Sequence, residues 1–123
     1  MKRSPLRRKS PKQRSFDLEL DAVTPELWRR AENSCELMIP NICIGSEGFL
    51  HRHHRRSRRI RKDGKANKLS NLLLVCLPCH TLIHHERAWS KDHGFIISSN
   101  ADPDEVHVNR TGVHWMPRKG RTQ

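Results

Sequence analysis

Cys76-Leu77-Pro78-Cys79-His80, with His84 four positions further on, brings two kinds of metal-binding side chain into one short stretch. Cys76 and Cys79 form a C-x2-C knuckle, whose tight backbone turn lets two thiolates converge on one tetrahedral metal. Cys35 and Cys43 make a second pair with the wider spacing C-x7-C, and Met38 stands where a tight knuckle would have its second cysteine. In a reducing compartment two such pairs fit a closed, structural Zn2+ site better than disulfides. The plainer reading makes Cys76 and Cys79 small core residues and the upstream pair incidental. His80 and His84 share one face of a helix, which suits two ligands of a single divalent ion. The alternatives for them are a share in the zinc site or a helix cap. His51, His53 and His54 cluster upstream, and a neutral imidazole with a pKa of about 6.5 can take a proton from water at neutral pH.

The elements that must position these groups are short. Thr24-Pro25-Glu26 has the form of a helix start: a hydroxyl cap, proline at the first position, then an acid against the dipole. It predicts a helix to about Asn33. Residues 36–48 read as loop, Phe49 to His54 as a strand, and residues 55–70 as a polar, basic loop. Leu72-Leu73-Leu74-Val75 has the length and composition of a buried strand. Pro78 suits the first turn of a helix running to about Ser90, with Gly94 just past its end. Phe95 to Ser98, a turn at Ala101-Asp102-Pro103-Asp104, and Val106 to Val108 predict a closing hairpin, with Trp115 folding back onto the core. The fold class is α+β. A flexible basic arm over 1–22 precedes a main domain over 23–99, and a hairpin strand with a basic tail occupies 100–123.

Only 34% of the 123 residues are hydrophobic and 5% aromatic, so the core must be small and a metal staple would help it. The net charge is +11 and uneven. The first fourteen residues hold seven basic side chains and no acid, residues 52–68 hold nine against the single Asp63, and three more lie between Arg118 and Arg121. That distribution is an electrostatic footprint for a polyanion, most commonly nucleic acid. No apolar run is long enough for a signal peptide or a membrane span, which predicts a soluble, cytoplasmic protein with no membrane partner.

Three spaced elements then occur in order: His53-His54-Arg55, Asn71-Leu72-Leu73, and Cys76-x2-Cys79-His80-x3-His84. From Cys35 to Gly94 this pattern resembles the HNH endonucleases, with their ββα-metal core. In particular it is similar to the small stand-alone HNH proteins of phages and bacteria whose motif is enclosed by paired cysteines. The resemblance implies that His54 is the general base and that Asn71 holds it in place through loop backbone. It implies that His53, His80 and His84 ligate a catalytic divalent cation (Mg2+, Mn2+, Ni2+ or Zn2+). The wide Cys35–Cys43 pair departs from the tight double knuckle of those proteins.

The function expected on this basis is metal-dependent hydrolysis of DNA phosphodiester bonds, by nicking or double-strand cutting. Cys35, Cys43, Cys76 and Cys79 would hold the structural zinc, and Arg52, Arg55, Arg56, Arg58 and Arg59 would contact DNA. The family analogy adds the phage terminase or packaging proteins as partners, and the bacterial host cell as the location if the chain is phage-encoded. Two other functions use many of the same features. One is a non-catalytic zinc-ribbon DNA-binding accessory protein, which has no use for His54 beside a second metal site. The other is an RNA-directed nuclease.

Overall fold

The computed structural model describes residues 9–57 and 64–108. Its elements are α1 (Pro11–Ala31), β1 (Leu50–His54), a 3-10 turn (Leu69–Asn71), β2 (Leu72–Cys76), α2 (Leu77–His85) and α3 (Arg87–Asp92). The helices and the antiparallel β1–β2 pair make a mixed α and β fold, as expected. Arg58, Arg59, Trp115, the basic residues up to Arg8 and those between Arg118 and Arg121 lie outside the described residues.

Strand β2 is the centre. All five of its residues are buried, which is why they read as a continuous apolar run and not as an alternation. Leu72 and Leu74 meet Leu20 and Leu27 of α1. Leu73 and Val75 meet Cys35, Leu37, Ile39, Ile83, Trp89 and Phe95 on the other side. Helix α1 covers its side with Phe16, Leu20, Val23, Leu27 and Ala31, an i, i+4, i+7 stripe.

That stripe starts well before Thr24, and so does the helix, in place of the short helix and the flexible arm expected there. Ser10 caps it by accepting from Gln13 N–H at 3.0 Å, and Pro11 occupies the first turn. Pro25 therefore lies inside a helix and removes one backbone bond. The Thr24 hydroxyl does not cap a helix start but donates to the Leu20 carbonyl at 2.7 Å. Apolar burial over five positions outweighs the local start signal.

A charged clamp fixes α1 to β2. The Arg30 guanidinium donates to both oxygens of Glu36, at 2.6 and 2.7 Å, and to the carbonyls of Leu69 and Leu72. Glu36 is 6% exposed and also accepts from Leu74 N–H at 2.9 Å. The buried carboxylate is thus paired and fully engaged, the condition under which a buried charge is tolerated.

Two further expectations are corrected. The helix after the knuckle does not run through to Ser90; it breaks at Glu86, whose φ of −109° and ψ of 71° are not helical. The break turns Trp89 into the core against Phe95, ring centroids 5.4 Å apart, and lets the Ser90 hydroxyl donate to the Ile83 carbonyl at 2.9 Å. The closing hairpin is also absent: no strand occurs between 95 and 108, and the sheet has two strands among the described residues. The reason is Arg55. Its guanidinium donates to the carbonyls of Gly94, Ser70, Pro103 and Val106, while its own carbonyl accepts from Ile97 N–H. Of the two segments expected to pair, one is thus bonded through Ile97 N–H to the Arg55 carbonyl and the other through the Val106 carbonyl to the Arg55 side chain.

Candidate metal centres and active site

Period-two alternation along β1 divides its side chains between two environments. His51 and His53 stand opposite Val75 and Leu73, on the α2 side; Arg52 and His54 stand opposite Leu74 and Leu72, on the α1 side. Helix α2 then carries two ligand sets. Cys79 and Ile83, four apart, are buried, and His80 and His84 occupy the next position round the helix, toward β1. The His80 ring lies 5.3 Å from that of His51 and 5.2 Å from that of His53.

The four cysteines converge: one ligand atom from each of Cys35, Cys43, Cys76 and Cys79 lies within 4.8 Å of every other. All four are free thiols. The Cys43 and Cys76 sulfurs are 3.9 Å apart, close to the roughly 3.8 Å that two ligands at about 2.3 Å from a tetrahedral zinc would show. The wide upstream spacing is accommodated by a loop closed on itself, with Cys35 N–H bonded to the Gly45 carbonyl and Cys43 N–H to that of Ile39. Gly45, at a φ of 67°, turns its N–H onto the Cys43 sulfur at 3.2 Å. The crowded thiols compete for protons. A hydrogen bond from Cys79 pulls the Cys35 thiol down to about 5. The same bond, with burial, pushes Cys79 up, and burial pushes Cys43 up to about 11. A cation is what such a cluster of sulfurs would accept.

His53, His80 and His84 form the second cluster, again with ligand atoms within 4.8 Å of one another. The facing Nε2 atoms of His80 and His84 are 3.2 Å apart, near the roughly 3.3 Å set by two bonds of about 2.05 Å to a tetrahedral ion. His53 contacts the Phe95 carbonyl through Nε2 at 2.8 Å. A carbonyl only accepts, so Nε2 carries the proton and the lone pair that could bind a metal is on Nδ1. Burial holds His53 down at about 4, and burial followed by the His84 and His51 charges does the same for His80. Both are neutral imidazoles at neutral pH, the form that binds metal.

His54 ends the strand on the other side. Its Nε2 meets Asn67 Oδ1 at 2.9 Å, and the Asn67 amide nitrogen donates to the Phe16 carbonyl and to Glu19. Those two acceptors set the amide orientation, so His54 Nε2 is a donor and its lone pair is on Nδ1. Phe16 stacks on the ring at 5.8 Å. Nothing in the spacing of the chain singles out Asn67, thirteen residues from His54 in a polar loop. Asn71 is 0% exposed. Its side chain accepts from Arg56 N–H at 2.8 Å and donates to the carbonyls of Arg56 and Ala66 at 3.3 and 2.9 Å. The residue thereby ties both ends of the loop between the strands.

The arginines expected at DNA are placed differently. Arg55 and Arg56 are 2% and 1% exposed, with Arg55 on four carbonyls and Arg56 donating to that of Ala101. Both guanidinium groups are thus engaged in holding the domain's own backbone. Arg52 bonds Asp21 and Thr24. Lys65 and Lys68 pair with Asp102 and Asp104 at 2.6 and 2.7 Å, which holds both carboxyls below their usual range.

Residues 42–86 match the family model of the HNH endonucleases. The matched stretch takes in Cys43, β1, the loop, β2 and all of α2, and contains His53, His54, Asn71, His80 and His84. Its β1, β2 and α2 follow one another in the ββα order of that family, and the match supports a nuclease function on a nucleic acid substrate. No curated protein and no solved structure matches the chain. Among the described residues no helix is long and apolar enough to cross a membrane.

Proposed function

We propose that the protein is a metal-dependent DNA endonuclease with His54 as general base. The observation that carries this reading is the convergence of His53, His80 and His84 within 4.8 Å, next to His54 and inside the stretch that matches a nuclease family. A divalent cation held by these three imidazoles would supply Lewis-acid stabilisation of charge developing on the phosphate and leaving oxygen. His54 Nδ1 takes a proton from the attacking water, and Asn67 holds the ring in the tautomer that leaves the lone pair on that nitrogen. Asn71 keeps the loop after β1 closed, so that His54 stays at the mouth of the site. Cys35, Cys43, Cys76 and Cys79 hold a structural zinc outside the reaction. Because α2 begins at one cluster and carries the other, the zinc site sets where His80 and His84 lie.

The test is incubation of supercoiled plasmid with the purified chain and Mg2+, Mn2+ or Ni2+, beside a chelator control. Ion-dependent conversion to nicked or linear DNA is expected. Intact plasmid with every ion would contradict the proposal, and cleavage of RNA alone would redirect it to RNA.

A further inference from the structure

Beside the proposed base runs a cleft of about 270 Å3, lined by His54, Arg55, His84, Arg87, Ile96 and Ile97 among others; Arg55 reaches it with a side chain already engaged by backbone carbonyls. No acidic residue lines it. Arg87 enters it because the chain turns at Glu86 and starts α3 there. Had α2 continued straight, the side chain would lie elsewhere.

The charged inventory around the site sharpens the point. Arg30 is spent on Glu36 and two carbonyls. Arg52 is held by Asp21 and Thr24, and Arg55 and Arg56 are buried on backbone carbonyls. Arg87 is exposed, and among the described residues its guanidinium makes no hydrogen bond or ion pair. A planar fork of donors that matches phosphate oxygens thus stands in a cleft that also holds the proposed base. Ile96 and Ile97 give the same cleft an apolar wall, suited to the face of a deoxyribose.

We infer that Arg87 is a substrate-positioning residue that binds a backbone phosphate of the nucleic acid strand in this cleft, with the adjoining sugar against Ile96 and Ile97. The inference rests on the nuclease reading for its place in the reaction, and on the cleft alone for the contact. Arg87 takes the role that the sequence pattern had suggested for Arg55 and Arg56.

The experiment compares full-length parent, Arg87→Ala, Arg87→Lys and Arg29→Ala, each checked for fold by circular dichroism and zinc content. Arg29 is the control because it is an exposed arginine on α1, paired with Glu26. Binding of a fluorescent duplex is measured across a salt series without added divalent ion, and single-turnover cleavage with ion. The expected loss for Arg87→Ala is about 0.9 in the slope of log affinity against log salt, with cleavage slowed on the order of 10²-fold. Arg87→Lys restores the slope but not the rate, since a point charge replaces the bidentate fork. The inference is overturned if Arg87→Ala keeps the parent slope, or if Arg29→Ala lowers slope and rate equally. Should the parent bind DNA and cut none, the nuclease reading fails by itself, and the salt slope still decides whether Arg87 meets a phosphate.

Discussion

His53 and His54 are neighbours in the chain and serve different environments, because successive side chains of a strand point to opposite faces. His53 faces α2 and joins His80 and His84; His54 faces α1 and meets Asn67 and Phe16. The histidine pattern was legible because it obeys the strand and helix periods. Asn67 was not, since a loop has no period to place it, and the fates of Arg55 and Arg56 were not, since burial of an arginine on carbonyls leaves no trace in composition. Asn71 was legible only through the resemblance. Replacement by Ala leaves Arg56 N–H and the Arg56 and Ala66 carbonyls without their buried partner, at a cost on the order of 1–3 kcal/mol for such groups. The urea midpoint of Asn71→Ala is therefore expected well below that of the parent, and an unchanged midpoint would show that water replaces the side chain freely.

At the scale of elements, the two strands and the helix that bears His80 and His84 were readable from apolar runs and from Pro78. Tertiary contacts overrode local signals elsewhere. Thr24-Pro25-Glu26 reads as a helix start and lies mid-helix, because the apolar stripe from Phe16 to Ala31 needs a continuous α1 to cover Leu72 and Leu74. The residues after Gly94 read as two short strands about a turn and instead wrap around Arg55. Gly94 makes that wrapping possible. Its φ is 83°, and a Cβ there would sit 2.2 Å from the His107 carbonyl oxygen and 2.9 Å from Val108 Cα. Both obstacles are backbone, so Gly94→Ala combines left-handed strain with a clash that cannot be relieved by a rotamer, a loss of roughly 1–3 kcal/mol. Thermal unfolding at the parent temperature would refute this account of the segment. The Arg30–Glu36 clamp offers a second check. Arg30→Ala strands a carboxylate that is 6% exposed, and a destabilisation of about 3 kcal/mol is expected in chemical denaturation.

Across the whole molecule, one short helix serves two clusters of metal-binding side chains, and the proposed function makes the cysteine cluster the staple of the domain and the histidine cluster the substrate-facing one. The core is small, as the 34% hydrophobic content foretold, and its main cluster includes Cys35, Cys76 and Cys79. One zinc per chain is expected by elemental analysis, with binding supplying folding free energy on the order of 10 kcal/mol. Cys79→Ser should unfold the domain, and folded parent protein devoid of zinc would overturn the staple. The central claim, however, is the separation of a proton acceptor from a metal-binding set. It is tested most directly by single-turnover DNA cleavage by His54→Ala and His80→Ala as a function of divalent ion concentration. His54→Ala is expected to cleave roughly 10²–10⁴-fold more slowly than the parent at every ion concentration. His80→Ala should instead shift the ion dependence to higher concentration and recover part of its rate at saturation. Cleavage by His54→Ala at the parent rate, or its rescue by ion as readily as that of His80→Ala, would contradict the account.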